Sequence, residues 1–327
     1  MLSKSLYNLC LLISTPYENL NLFSNEICDL DYPILEEIYL KKLFNFKWRK
    51  KLNSSFKNFQ FDYIYDILDQ NSNFIKLKLN LKICFIVQNS PNNILSACIH
   101  EYIIILEHLN NKFKFRFLIE NEENPLLYNY VLKTDLSHID SLIFSKKQSL
   151  GTPKLSLINL FYETFMTSGF FSTNSRSQTK DSNFNITEAC NYAETFALKS
   201  NPNYKSFEDI GGDCTNFVSQ ILYAGGVKQT KAWSPYTNPW INAEDLYLYL
   251  TTHKLADKLS TETSLTKGCL IQFYTPQIGR FFHNGFITYE LPNNDYLYCC
   301  HSYNKLNYPL SETFPNRYPT LRALKIN

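Results

Sequence analysis

Between Ile75 and Val87 apolar residues recur at every second position. Ile75, Leu77, Leu79, Leu81, Ile83 and Phe85 are separated by Lys76, Lys78, Asn80, Lys82 and Cys84. That period of two predicts a half-buried strand. Upstream the spacing is helical. Ile34, Leu35, Ile38, Leu43 and Phe46 predict a helix over 33–51, with Pro33 in its first turn, Asp31 as a candidate cap and Lys47-Trp48-Arg49-Lys50-Lys51 as its cationic end. A shorter helix is predicted over 61–68. Two further strands, 99–109 and 112–119, flank Asn110-Asn111, a dipeptide that tolerates hairpin geometry. On the second of these, Phe113, Phe115 and Phe117 share one face and Lys112, Lys114 and Arg116 the other.

Residues 155–170 are apolar and predict a helix, whereas 171–185 are rich in Ser, Thr, Asn and Lys without periodicity and read as a linker. Thr187 is placed to cap a helix carrying Ala189, Cys190, Ala193, Phe196 and Ala197 on one side, which Asn201-Pro202-Asn203 stops. A second helix follows Gly211-Gly212 and ends near Gly225-Gly226. A short helix over 243–250 and strands over 269–274, 283–289, 296–302 and 320–326 complete the chain. The fold class is α+β in both parts. Residues 1–150 form a smaller α+β domain of unassigned role, a helix on an antiparallel meander, which resembles the cystatin-like or nuclear-transport-factor-like layouts. Residues 151–186 are helix and polar linker, and 187–327 place a helix against an antiparallel sheet.

Composition narrows the function classes. The 327 residues are 44% hydrophobic and 19% charged, a globular balance. A net charge of +2 gives no electrostatic case for a nucleic-acid partner or an anionic membrane. No stretch reaches the roughly 18–20 apolar residues of a membrane span, so no transmembrane segment is expected. Residues 1–19 lack the pattern of a secretory signal. The nine cysteines show no disulfide spacing, and a reducing, cytoplasmic setting is expected.

The chemistry concentrates in Gly211-Gly212-Asp213-Cys214-Thr215-Asn216-Phe217-Val218-Ser219-Gln220. Asp213 is a candidate N-cap, and Phe217, Val218 and Ile221 supply an apolar stripe. A thiol in the first turn of a helix is expected to have a lowered pKa and thiolate character, although a cysteine there can also be a small buried filler. A cysteine nucleophile needs an imidazole base and a third group to orient it. His283 opens His283-Asn284-Gly285-Phe286-Ile287-Thr288, and His301 closes the next strand. Gly285 is expected to admit a close approach by backbone or ligand, and His253 reads as a surface residue. His100, Glu101, Glu107 and His108 alternate on a strand as solvent-facing residues do and carry no metal assignment. Cys299 and Cys300, adjacent on a strand, point to opposite faces and do not suit zinc. No cofactor or metal is expected.

Residues from about 187 to the end resemble the putative amidase domain family of the papain-like cysteine-peptidase superfamily, related in layout to the NlpC/P60 and CHAP cell-wall hydrolases. The resemblance is carried by the Gly211–Gln220 run with Tyr223-Ala224-Gly225-Gly226, then Trp233, Pro239-Trp240-Ile241-Asn242, Leu270-Ile271-Gln272-Phe273, His283 with Gly285-Phe286-Ile287-Thr288, and His301-Ser302. It implies Cys214 as nucleophile, His283 as general base and then acid, and His301 as the group orienting His283. Asp213 and Asn216 would support the site. Trp233 and Trp240 would wall the cleft, though such residues also serve as packing anchors. The oxyanion donors are expected to include the Cys214 backbone N–H and one upstream side chain. The family usually has Asp after the glycine at 268, where this chain has Cys269. The implied reaction is amide hydrolysis through a thioester, on a peptide or peptidoglycan stem. An acyl transferase using the same residues and a non-catalytic peptide-binding module are the alternatives.

Overall fold

The computed structural model describes residues 2–22, 32–88, 90, 93–109, 112–139, 155–171, 183–260 and 263–327. The chain is α+β and divides into two compact units, Met1–Phe85 with Ile99–Ile158, and Ile86–Cys98 with Asn159–Asn327. The segment 86–98, between the two central strands of the first half, thus counts with the second unit.

The first unit contains helices α1 (Leu2–Ser14), α2 (Tyr32–Lys51) and α3 (Pro125–Lys133) and strands β1 (Phe56–Gln70), β2 (Phe74–Val87), β3 (Leu95–Leu109) and β4 (Lys112–Glu120). The last turn of α2 carries Arg49, Lys50 and Lys51, cations at the negative end of the helix dipole. Asp31 and Asn110-Asn111 lie outside the described residues. The helix expected over 61–68 is instead the middle of β1. Phe59, Phe61, Tyr63 and Tyr65 are half-buried while Gln60, Asp62 and Ile64 are exposed, so aromatic period-two alternation prevails over the helical reading. Strands β3 and β4 pair antiparallel, and Ile103, Ile105, Phe117 and Ile119 pack with Tyr128 and Val131 of α3. His100 sits 2.6 Å from Glu120, Glu107 accepts from Arg116, and Glu101 pairs with Lys78. These side chains pair along the strands as alternating polar residues do.

The second unit contains α4 (Ile158–Thr167), α5 (Ile186–Phe196), α6 (Cys214–Ala224), α7 (Asn238–Ile241) and α8 (Ala243–Thr252). Its strands are β5 (Ala256–Lys258), β6 (Leu270–Thr275), β7 (Arg280–Glu290), β8 (Tyr296–Cys300), β9 (Lys305–Pro309) and β10 (Thr320–Ile326). They run antiparallel in the order β9-β8-β7-β6-β10-β5, and Ala97 and Cys98 pair with β9. Helix α5 is capped by Asn185, whose side chain accepts from the Glu188 N–H at 3.1 Å, not by Thr187, which falls inside the first turn. Gly285 admits a side chain, not backbone or ligand: a Cβ there would lie 2.7 Å from the Tyr298 ring.

Helix α6 is buried on every side from Cys214 to Leu222, more than its apolar stripe foretold. Phe217, Val218 and Ile221 pack with Ala189, Ala193, Trp240, Leu246, Leu270 and Phe286. Each fully buried side chain of this kind contributes about 1.5–3 kcal/mol. The polar residues of α6 are buried with partners: Ser219 donates to the Trp240 carbonyl at 3.0 Å, and Gln220 accepts from the Tyr192 hydroxyl at 2.6 Å.

Asp295, in the turn before β8, is 2% exposed and accepts from the N–H groups of Tyr296 and Ser311 and from the Ser311 hydroxyl. Burial nevertheless raises its carboxyl from 3.8 to about 6. The folded state therefore holds this proton more tightly than the unfolded chain does. The stabilisation is complete below about pH 4 and is lost as pH rises through about 6, a change of about 3 kcal/mol. Asp295→Asn is expected to remove it. The stability difference between wild type and variant, read from urea midpoints, should fall across that window; a difference flat in pH would refute the assignment.

Candidate active site

Helix α6 is entered through a glycine turn. Residues Glu208–Ile210 form a single 3-10 turn, and Gly211 and Gly212 follow at φ +119° and +110°, left-handed values that a side chain would resist. Asp213 comes next, but its carboxylate does not cap α6. One oxygen accepts from the Phe207 N–H at 2.9 Å and from Asn216 Nδ2 at 2.8 Å, and the other lies 2.7 Å from His301 Nδ1. The first backbone donors of α6 are met from the turn after β8: the N–H groups of Asp213 and Cys214 both donate to Ser302 Oγ, at 2.5 and 3.1 Å. The Cys214 N–H, expected among the oxyanion donors, is thus already engaged in this state.

Cys214 Sγ lies 3.6 Å from the carbonyl oxygen of Phe282, 3.8 Å from Thr215 Oγ1 and 3.9 Å from Asn284 Nδ2. It therefore rests against β7 on either side of His283. The side chain is 7% exposed. Burial pushes the thiol above its ordinary value of 9.0; the Asn284 backbone N–H and the Thr215 hydroxyl pull it down, and Asp213 raises it. This reverses the expectation of a thiolate at rest. Desolvation of the anion outweighs the favourable helix end.

His283 is 1% exposed. Its ring stacks on Phe273 at 5.6 Å and meets Tyr303 edge-on at 5.4 Å, with Tyr318 at 6.0 Å. His301 does not have the role expected of it. Its Nε2 donates to the Phe196 carbonyl at 2.7 Å, its Nδ1 is taken by Asp213, and its ring stacks on Phe217 at 3.9 Å and 4°. With both nitrogens engaged, neither is left to orient His283. The proton between Nδ1 and Asp213 makes a charge-assisted bond that ties α6 to the end of β8 and to the end of α5.

Asn216 supports this arrangement. Its Nδ2 donates to Asp213 and to the Lys205 carbonyl, and its Oδ1 accepts from Trp240 Nε1 at 2.8 Å. Trp233 and Trp240 are 0% exposed and pack on each other at 4.8 Å. They are core anchors, not cleft walls. Among the described residues no group of three or more His, Cys, Asp or Glu could hold a metal ion, and no helix is long and apolar enough to cross a membrane.

Sequence reading did not single out Thr215, Asn284, Gln272, Ser302 or Arg322. Asn284 Nδ2 donates to Thr215 Oγ1 at 2.7 Å, and Gln272 Nε2 donates to Asn284 Oδ1 at 2.6 Å. The signal for these was a polar residue inside an otherwise apolar strand, as in Leu270-Ile271-Gln272-Phe273.

The chain is similar to two proteins of Bacillus subtilis. One is the uncharacterized protein YjcM, 35% identical over 130 residues, which covers 37% of this chain and 31% of the relative. The other is the uncharacterized protein YhbB, 34% identical over 108 residues, covering 29% of this chain and 34% of the relative. The chain thus spans about a third of the length of these curated relatives. No solved structure matches it. A family model does match, over a stretch that holds the glycine turn, Cys214, His283 and His301: residues 183–321 are similar to the family described as a putative amidase domain.

Proposed function

We propose that this domain is a cysteine-dependent amide hydrolase of the papain-like type. The observation that carries the reading is the position of Cys214 Sγ, at the start of α6 and 3.6 Å from the backbone of β7 beside His283. Burial keeps the thiol protonated at rest, so attack requires a base at the moment of reaction. His283 takes the thiol proton as Sγ bonds to the carbonyl carbon of the substrate. The C–N bond then breaks as His283 returns the proton to the leaving nitrogen, which leaves a thioester on Cys214. Water, deprotonated by His283, attacks the thioester and releases the acid and the free thiol. The Asp213–His301 pair holds the start of α6, and Asn216 braces Asp213.

The substrate class we propose is a peptide or a peptidoglycan stem; the family match supports an amide bond as the target. The experiment that separates hydrolysis from transfer is product analysis with a peptide amide substrate, with and without an added primary amine. Free acid in both reactions is the expected result. A new amide containing the added amine as the main product would reassign the domain to acyl transfer. No turnover of any peptide amide, with Cys214 no more reactive toward iodoacetamide than the other cysteines, would mark a non-catalytic binding module.

A further inference from the structure

Three polar side chains stand side by side across the sheet of the second unit. Arg322 on β10 is in register with Gln272 on β6, and Gln272 with Asn284 on β7. Their strand neighbours Ile271, Phe273, Leu321 and Ala323 are buried hydrocarbon. Gln272 and Asn284 are themselves 0% exposed, and a buried polar row of this kind persists only when its members satisfy one another.

The hydrogen bonds of the row have a direction. Arg322 Nε donates to Gln272 Oε1 at 2.6 Å, and arginine has no acceptor. This settles which end of the Gln272 amide faces which way. Its Nε2 donates to the Ala243 carbonyl at 2.8 Å and to Asn284 Oδ1 at 2.6 Å. The Asn284 amide is settled in turn, so that Nδ2 faces Thr215 Oγ1 at 2.7 Å and Cys214 Sγ at 3.9 Å. The far end of the row is anchored. Arg322 Nη2 donates to Glu244 Oε2 at 2.9 Å, and the guanidinium lies 3.8 Å from the Tyr247 ring centre and 4.0 Å from that of Phe281. The other Glu244 oxygen accepts from the Phe281 N–H at 3.2 Å.

We propose that Asn284 is a positioning residue for the nucleophile, and that Arg322 and the Ala243 carbonyl, acting together through Gln272, set the direction of its amide so that N–H donors and not a carbonyl face the sulfur. The inference rests on the reading of Cys214 as nucleophile. An N–H aimed at sulfur favours the thiolate, whereas a carbonyl oxygen in its place would oppose it. The titratable and charged groups around the thiol are Asp213 with its partner His301, His283 on β7 with Tyr303 and Tyr318 against its ring, and Arg322 with Glu244 at the end of the row.

The test is the pH dependence of Cys214 alkylation by iodoacetamide, followed by peptide mass spectrometry on the full chain. Asn284→Asp keeps the size of the side chain and an acceptor for Gln272 but sets a carboxylate against the sulfur. Its alkylation midpoint is expected to rise by about one pH unit or more. Arg322→Met removes one of the two groups that set the direction, leaving only the Ala243 carbonyl, without touching the thiol, and a smaller rise is expected. Arg322→Lys, again a donor only, is expected to restore the wild-type profile. Should Asn284→Asp fail to fold, the Arg322 pair, remote from the sulfur, still decides the matter. Profiles that superimpose on wild type in folded variants, or Arg322→Lys behaving as Arg322→Met, would overturn the proposal. Alkylation needs no substrate, so shifted profiles in a chain that turns over no amide would sink the hydrolase reading and leave the row standing. Superimposed profiles with turnover intact would do the opposite.

Discussion

Cys214→Ala and His283→Ala are each expected to lower turnover of a peptide amide by about 10⁴-fold or more, with the fold retained. The two side chains act as one unit, so the double variant should be no worse than either single one. The thiol is buried and protonated at rest, so His283 has no spare role: without a base the sulfur is a weak nucleophile, and without the sulfur the base has nothing to activate. Loss of one sulfur atom from a 7% exposed side chain opens only a small void. The native fold, checked by far- and near-ultraviolet circular dichroism, should persist. Initial rates measured beside those spectra decide the point. A folded Cys214→Ala chain that keeps more than a tenth of wild-type turnover would place the chemistry elsewhere.

The second large effect concerns stability. His301→Ala and Asp213→Ala are each expected to cost about 3–5 kcal/mol, because removing one member leaves the other buried without its hydrogen-bond partner. His301 is 2% exposed and Asp213 1%, and the ring also holds the Phe196 carbonyl and the face of Phe217. For a domain of this size the loss corresponds to a fall in Tm of roughly 10 °C or more. Asp213→Asn keeps the shape and most of the hydrogen bonds and should cost less. The comparison separates two roles for His301. As a clamp on α6 it governs unfolding, and its variants melt early. As an orienting group for His283 it would govern rate instead, and its variants would melt with wild type while turning over slowly. The contacts of both ring nitrogens require the first outcome.

Much of this molecule could be read from its residues, and the misreadings share a cause. The strand from Ile75, the helix ending in Lys50-Lys51 and helix α6 all follow from local period, which is set by which face meets a core. Residues 61–68 were ambiguous because Phe61, Ile64 and Leu68 also fit a helical stripe; the aromatic alternation of Phe59, Phe61, Tyr63 and Tyr65 belongs to a sheet that local sequence does not reveal. The glycine turn and Cys214 were legible as a motif. What Asp213 does was not, because its partner His301 is 88 residues away and a local cap was the only bond that sequence could suggest. The thiol pKa failed for the same reason. The helix end is local, whereas the burial that outweighs it comes with packing against β7, 68–70 residues away. Trp233 and Trp240 looked alike as cleft or core, and only their packing on Tyr249 and Asn216 assigns them to the core.

The central claim is that Cys214 carries the acyl group during amide cleavage. The direct measurement is to mix the full chain with a peptide amide substrate, quench in acid within one turnover, digest, and weigh the peptide that contains Cys214. The mechanism predicts that this peptide gains the mass of the acyl portion, that hydroxylamine removes it, and that Cys214→Ala shows neither adduct nor product. Product formed with no adduct on Cys214, and formed equally by Cys214→Ala, would contradict it.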